Sequence, residues 1–168
     1  MEYWDVYDKY GNKTGIIKTR SDVWEEGEFH LGASLWIVNY KGEILIQKRA
    51  ATKRIHPNKW GSTVGSVISG ETSKEGLVRE VWEEIGITVN VDELVFLDRH
   101  IWDHNINDNY IMIYDFPIEQ VIIQPEEVSE VKWISIDEMK KLIYEGTCML
   151  NDVKGLDKIC KFIEANLH

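Results

Sequence analysis

The sequence predicts a mixed α/β sandwich with a β-hairpin added at its N-terminus. Three observations lead there. Stretches with strand-like alternation both precede and follow one strongly capped amphipathic helix near residues 72–86. Two further helix-like stretches close the chain. Turn residues, rather than linkers or repeats, separate all of these elements, so a single domain over residues 1–168 is expected, with 1–28 as the extension.

The elements follow in order. Residues 3–20 form the hairpin: Tyr3-Trp4-Asp5-Val6-Tyr7, a turn at Gly11-Asn12, then Gly15-Ile16-Ile17 running to Arg20. Residues 21–28 are polar and acidic and read as a loop. From Phe29 to Val38, Leu31, Ala33, Leu35 and Ile37 alternate, which predicts a half-buried strand. Lys41-Gly42 turns it into a second strand over Glu43–Arg49. A basic segment follows, with Lys48, Arg49, Lys53, Arg54, His56 and Lys59, ending at Trp60.

Thr72-Ser73-Lys74-Glu75 is a capping box, and Gly86 stands where a left-handed stop residue belongs. Between them Val78, Val81, Trp82 and Ile85 fall on one side at about 100° per residue, a stripe expected to be buried. Glu93–Trp102 and Tyr110–Phe116 read as strands flanking a polar loop, Asp103–Asp108. Val128–Ile134 is another strand. Ser135-Ile136-Asp137-Glu138 opens a short helix that stops near Gly146. The last helix, from about Asp152, carries Val153, Leu156, Ile159, Cys160 and Ile163 at helical spacing.

Composition narrows the function classes. A formal net charge of −10 disfavours nonspecific nucleic-acid binding, because phosphates repel an acidic surface. A phosphorylated small molecule stays admissible if a cation neutralises the site. Cys148 and Cys160 lack paired metal-ligand spacing, which argues against a disulfide framework or a zinc site. The start of the chain has no basic and apolar leader pattern, and no apolar run reaches membrane-spanning length, so the cytoplasm is expected and a membrane partner is not.

Glu80, Glu83 and Glu84, spaced i, i+3 and i+4, are neighbours on the helix surface. At about 6 Å and an effective dielectric near 20, each pair repels by roughly 3 kcal/mol, falling to about 0.7 kcal/mol in water. A solvated acidic face is one reading. Divalent-metal binding is the other, since Mg²⁺ is held by carboxylates together with substrate phosphates.

The spacing of Gly65, Glu71, Arg79-Glu80-Val81, Glu83-Glu84 and Gly86-Ile87 resembles the signature of the Nudix hydrolases, here over residues 65–87. Gly76 and Val64 are minor departures from it, and Gly76 would cost about 1 kcal/mol of helix stability relative to alanine. Trp4-Asp5-Val6-Tyr7-Asp8, Gly15, Arg20, Gly27-Glu28-Phe29-His30 and Ile44–Arg49 are similar to the branch related to isopentenyl-diphosphate isomerase.

The resemblance implies an α/β/α sandwich with a mixed β-sheet, and metal-dependent hydrolysis of a nucleoside diphosphate linked to another moiety. It implies that Glu80, Glu83 and Glu84 hold Mg²⁺ or Mn²⁺, with a carbonyl near Val64 or Gly65 adding a ligand. It implies that Arg79 pairs with Glu71 in support. Family members take their general base from the box or from a later loop, which makes Glu126, Glu127 and Glu130 candidates; Glu127 is carried forward, against the alternative of solvated loop acids.

Arg49 and Lys48 are candidate diphosphate ligands, with Arg49 favoured for its place on a strand. Lys53 and Lys59 fit an exposed loop equally well. Trp60 could stack on a base or belong to the core. His100, Asp103 and His104 read as a polar loop rather than a second metal site. An isomerase of this branch uses a cysteine on the strand entering the box, where this chain has Ser62-Thr63-Val64-Gly65. A non-catalytic binding domain is a third reading, set against a complete set of box carboxylates. The expected partner is a small phosphorylated molecule, and a homodimer is the commonest assembly by base rate.

Overall fold

The computed structural model describes residues 1–167. Strands β1 (Trp4–Tyr7) and β2 (Lys13–Lys18) pair antiparallel as a separate hairpin. The main sheet has seven strands and is mixed. At its centre β3 (His30–Val38) runs parallel to β8 (Asn105–Ile113), in register from His30–Asn105 to Val38–Ile113. Its other edge pairs antiparallel with β6 (Thr63–Ser66).

Strands β3 and β4 (Ile44–Arg49) meet only at Val38–Ile44, beside the turn at Asn39–Gly42, and then part. Beyond that point β4 pairs with β9 (Val128–Ile134) and with the short β5 (Trp60–Gly61). The far edge is β7 (Val95–Trp102), antiparallel to β8.

Helix α1 (Ser73–Ile85) covers one face, where Leu77, Val81 and Ile85 pack on Leu31, Ala33, Leu35 and Ile37. Helices α2 (Ile136–Tyr144) and α3 (Asp157–Asn166) cover the other, closing Met139, Ile143 and Ile159 over Trp36, Val38, Ile44 and Ile46. Among the described residues no helix is long and apolar enough to cross a membrane.

Four expectations are corrected. Strand β3 is buried on both faces, not half-buried: Ser34, Trp36 and Val38 are as enclosed as Leu35 and Ile37, because a strand flanked by parallel β8 is covered on both sides. The buried stripe of α1 is Leu77-Val81-Ile85, whereas Trp82 is 61% exposed. Residues Asn105–Asp108 are strand rather than loop, and only the Asp103-His104 turn remains, with Asp103 at φ 49°. The last helix is preceded by a separate 3₁₀ turn at Val153–Leu156, and Val153 is exposed.

Candidate active site

Helix α1 is held at both ends by local chemistry. The Thr72 hydroxyl accepts from the Glu75 amide while the Glu75 carboxylate accepts from the Thr72 amide. Gly86 ends the helix at φ 69°, which a side chain resists. One turn in, Gly76 packs so closely on Val67 and Glu71 that a Cβ there would crowd both. The departure from a better helix former is therefore a close-packing requirement.

Arg79 organises the carboxylates. Its Nε and Nη2 donate to the two oxygens of Glu71 at 2.8 and 3.0 Å, a two-pronged pair. Nη2 also donates to the Ser66 carbonyl at 2.9 Å, and Nη1 donates to Glu80 at 2.8 Å and Glu83 at 3.1 Å. These carboxylates raise the affinity of the guanidinium for its proton. The arrangement ties α1 to β6 and to the turn before the helix.

The three glutamates occupy three environments. Glu83 is the most exposed, its side chain 43% accessible. Glu80 lies against Gly65, where any Cβ would overlap its side chain, so glycine is required by proximity. Glu84 is buried, 5% exposed, and accepts from Gln47 Nε2 at 2.5 Å. Thr63 donates to Gln47 Oε1 at 2.8 Å, which fixes the amide so that its NH₂ faces Glu84.

Burial raises the Glu84 carboxyl to about 7, and the charges of Glu80 and Glu127 add to that while Gln47 opposes it. Burial likewise raises Glu80, helped by repulsion from Glu83, while the hydrogen bond and charge of Arg79 pull it back down. Negative charge on this patch is thus undercompensated by the chain itself. Hard oxygen donors in that condition suit a divalent cation, which would replace repulsion by ligation. With side chains as they stand, no three His, Cys, Asp or Glu groups among the described residues converge, because Arg79 and Gln47 engage the carboxylates instead.

The remaining candidates divide between the two faces of the sheet. Arg49 shares the face of Gln47, and its charge is felt at Glu84, while its Nε donates to the Ile55 carbonyl at 3.0 Å. Lys48 points to the opposite face, over the Trp60 ring. Trp60 is itself 7% exposed within the α2–α3 core and has Lys132 over it at 4.4 Å, so it is a core residue and not a free stacking platform. That placement corrects the reading of Lys48 and Trp60 as partners of Arg49.

Glu127 is half-buried, paired with Lys53 at 2.5 Å, and near enough to raise Glu84. Glu126 and Glu130 are exposed. His100 pairs with Asp98, and His104 meets the Glu28 carbonyl, so His100, Asp103 and His104 form no shared centre. Gln47 and Thr63 were not singled out from the sequence. The available signal was a lone amide on the α1-facing side of an otherwise apolar strand, Ile44-Leu45-Ile46-Gln47.

Comparison with known proteins bears on this geometry. The NUDIX domain family matches residues 28–147. An uncharacterized Nudix hydrolase of Listeria monocytogenes is 32% identical over 147 residues, 87% of each chain. Isopentenyl-diphosphate Delta-isomerase 2 of Photorhabdus laumondii is 30% identical over 143 residues, covering 82% of this chain and 80% of its own. Among solved structures, DR0079 of Deinococcus radiodurans shares the fold at a TM-score of 0.70 and 22% identity, covering 88% of this chain and 91% of its own. The chain belongs to the NUDIX family and is a Nudix hydrolase, with that family's α/β sandwich extended by an N-terminal hairpin.

Proposed function

We propose that this chain cleaves a nucleoside diphosphate linked to another moiety, using Mg²⁺ or Mn²⁺ held by Glu80, Glu83 and Glu84 with the Gly65 backbone beside them. The observation that carries the reading is buried Glu84 beside half-buried Glu80, whose charge repels it, with a glycine that leaves the Glu80 side chain room. Bound there, the cation would neutralise phosphate charge and lower the pKa of a water. Arg79 and Glu71 hold the carboxylates in place, and Gln47 holds Glu84 in its accepting form. Arg49 faces the same side and can take a phosphate oxygen. Glu127, half-buried and near enough for its charge to act on Glu84, is the proposed proton acceptor for the attacking water.

The isomerase relatives raise a second reading. Strand β6 and the residue before it, Ser62-Thr63-Val64-Gly65-Ser66, hold no thiol, and Cys148 is buried in the α2–α3 layer on the opposite face. Hydrolysis is therefore preferred. A panel of nucleotide diphosphate derivatives, assayed for monophosphate or phosphate release with Mg²⁺, Mn²⁺ or EDTA, tests both. Metal-dependent release from at least one compound is expected. Silence across the panel together with conversion of isopentenyl diphosphate to its dimethylallyl isomer would reverse the assignment.

A further inference from the structure

Strand β7 ends the main sheet. Its inner edge pairs with β8, and among the described residues no strand or loop backbone pairs with its outer edge. An open edge of this kind is a template for a further strand, and it is an association site when it carries apolar side chains. Val95, Phe96, Ile101 and Trp102 stand on β7, each between 46% and 54% exposed. Asp98, Arg99 and His100 lie between those two apolar pairs.

The register with β8 fixes the face of each side chain. Phe96, Arg99 and Ile101 oppose Tyr110, Asp108 and Ile106, on the side of α1. Val95, Asp98, His100 and Trp102 oppose Ile111, Asn109, Asn107 and Asn105, on the other side, where Lys158 of α3 reaches Asp98 at 2.6 Å. Leu97 is the extra residue of a bulge and packs into the α2–α3 layer.

We propose that the outer edge of β7 pairs antiparallel with β7 of a second copy of this chain, forming a two-fold dimer whose sheet continues across the axis. With the axis at Arg99 and the bulged Leu97 skipped, Phe96 faces the copy's Ile101 and Val95 faces the copy's Trp102. Each of these apolar pairs lies on a single face, as cross-strand neighbours must. Asp98 faces the copy's His100, an acceptor opposite a donor. Arg99 meets its own copy, but each guanidinium is neutralised by its Asp108 at 2.6 and 3.0 Å. Shifting the axis to Asp98 sets Phe96 against Arg99, and shifting it to His100 sets Asp98 against Trp102. The register centred on Arg99 is therefore the self-complementary one, as an isologous interface requires. It leaves both α1 helices on one side of the joined sheet. The inference does not rest on the diphosphate reading.

Sedimentation velocity from about 1 to about 100 μM tests it, in the concentration range expected of a seam smaller than a standard interface. Wild-type protein should pass from monomer to dimer. Phe96→Glu and Ile101→Lys should each weaken dimerisation at least roughly tenfold, and the double variant, which sets Glu against the copy's Lys at both places, should recover it. Trp82→Lys, on the outer side of α1, should leave it unchanged. Hydrogen exchange of the wild type gives a readout free of substitutions: β7 amides should exchange more slowly at the higher concentration. A wild type that stays monomeric would overturn the proposal. So would a dimer indifferent to both single substitutions, a double variant no better than either single one, or β7 exchange independent of concentration.

Discussion

Glu84→Gln separates the account from one in which the glutamate face is merely solvated. In the folded chain burial lifts the Glu84 carboxyl to about 7 from its ordinary 4.5. The folded state then binds a proton more tightly than the unfolded one. Its contribution is fully present below about pH 4.5 and is lost as pH rises toward about 7, after which it is level. A difference of about 2.5 pH units at about 1.4 kcal/mol per unit is worth between about 3 and 4 kcal/mol in full, and about 3 kcal/mol of it falls above about pH 4.5, where the unfolded carboxyl is already half ionised. Glutamine does not titrate, so the gap in unfolding free energy between variant and wild type should move by about 3 kcal/mol, in the variant's favour, from about pH 4.5 to about pH 8. Urea denaturation in EDTA measures it. Added Mg²⁺ at the higher pH should stabilise the wild type and not Glu84→Gln, since ligation depends on that carboxylate. A gap independent of pH, or equal stabilisation of both proteins by Mg²⁺, would refute the reasoning.

Three other substitutions probe the same construction. Gly65→Ala puts a methyl group into the Glu80 side chain, and turnover should fall at least roughly tenfold with the circular dichroism spectrum kept. Gln47→Leu removes the donor that holds the Glu84 charge, so unfolding free energy should fall by about 1.5–3 kcal/mol at about pH 8 and by much less at about pH 4.5, where Glu84 is protonated. Trp82→Ser, on the exposed side of α1, should change stability by no more than about 0.5 kcal/mol in urea; a large loss would contradict the observed stripe.

What the sequence disclosed was mostly local. The caps of α1 and α2 were legible because each is closed by hydrogen bonds between residues three apart, Thr72 with Glu75 and Ser135 with Glu138. The hairpin and β4 followed from strand-like stretches set off by the turn residues Gly11-Asn12 and Lys41-Gly42. The buried side of α1 was not decidable locally, because Trp82 satisfies helical spacing with Val78 and Ile85 as well as Leu77 does with Val81 and Ile85; packing on β3 chooses Leu77 over Trp82. Asn105–Asp108 read as loop because the residues are polar. Their partners come from the neighbouring strands: Asn107 donates to the sequence-distant Ser34 on β3 at 2.8 Å, and Asp108 accepts from Arg99 on β7 at 2.6 Å.

Within the site, the spacing of the glutamates was visible, but their unequal burial was not. Glu84 is enclosed because the segment leading into β9 lies across the end of α1, with the Gln124 amide donating to the Glu84 carbonyl at 2.9 Å, and Gln47 reaches across from β4. Lys48 and Arg49 are adjacent in sequence, and strand geometry sends them to opposite faces. A basic run cannot show that division until β4 has a register.

Mn²⁺ binding followed by its electron paramagnetic resonance signal, in wild type and in Glu83→Gln, tests the central claim most directly. Wild-type protein should quench the free-ion signal, Mg²⁺ should compete, and Glu83→Gln should weaken binding at least roughly tenfold while its urea unfolding stays close to wild type, because Glu83 is the most exposed of the three. Equal Mn²⁺ affinity in both proteins, or none in either, would contradict a cation-holding role for this helix face.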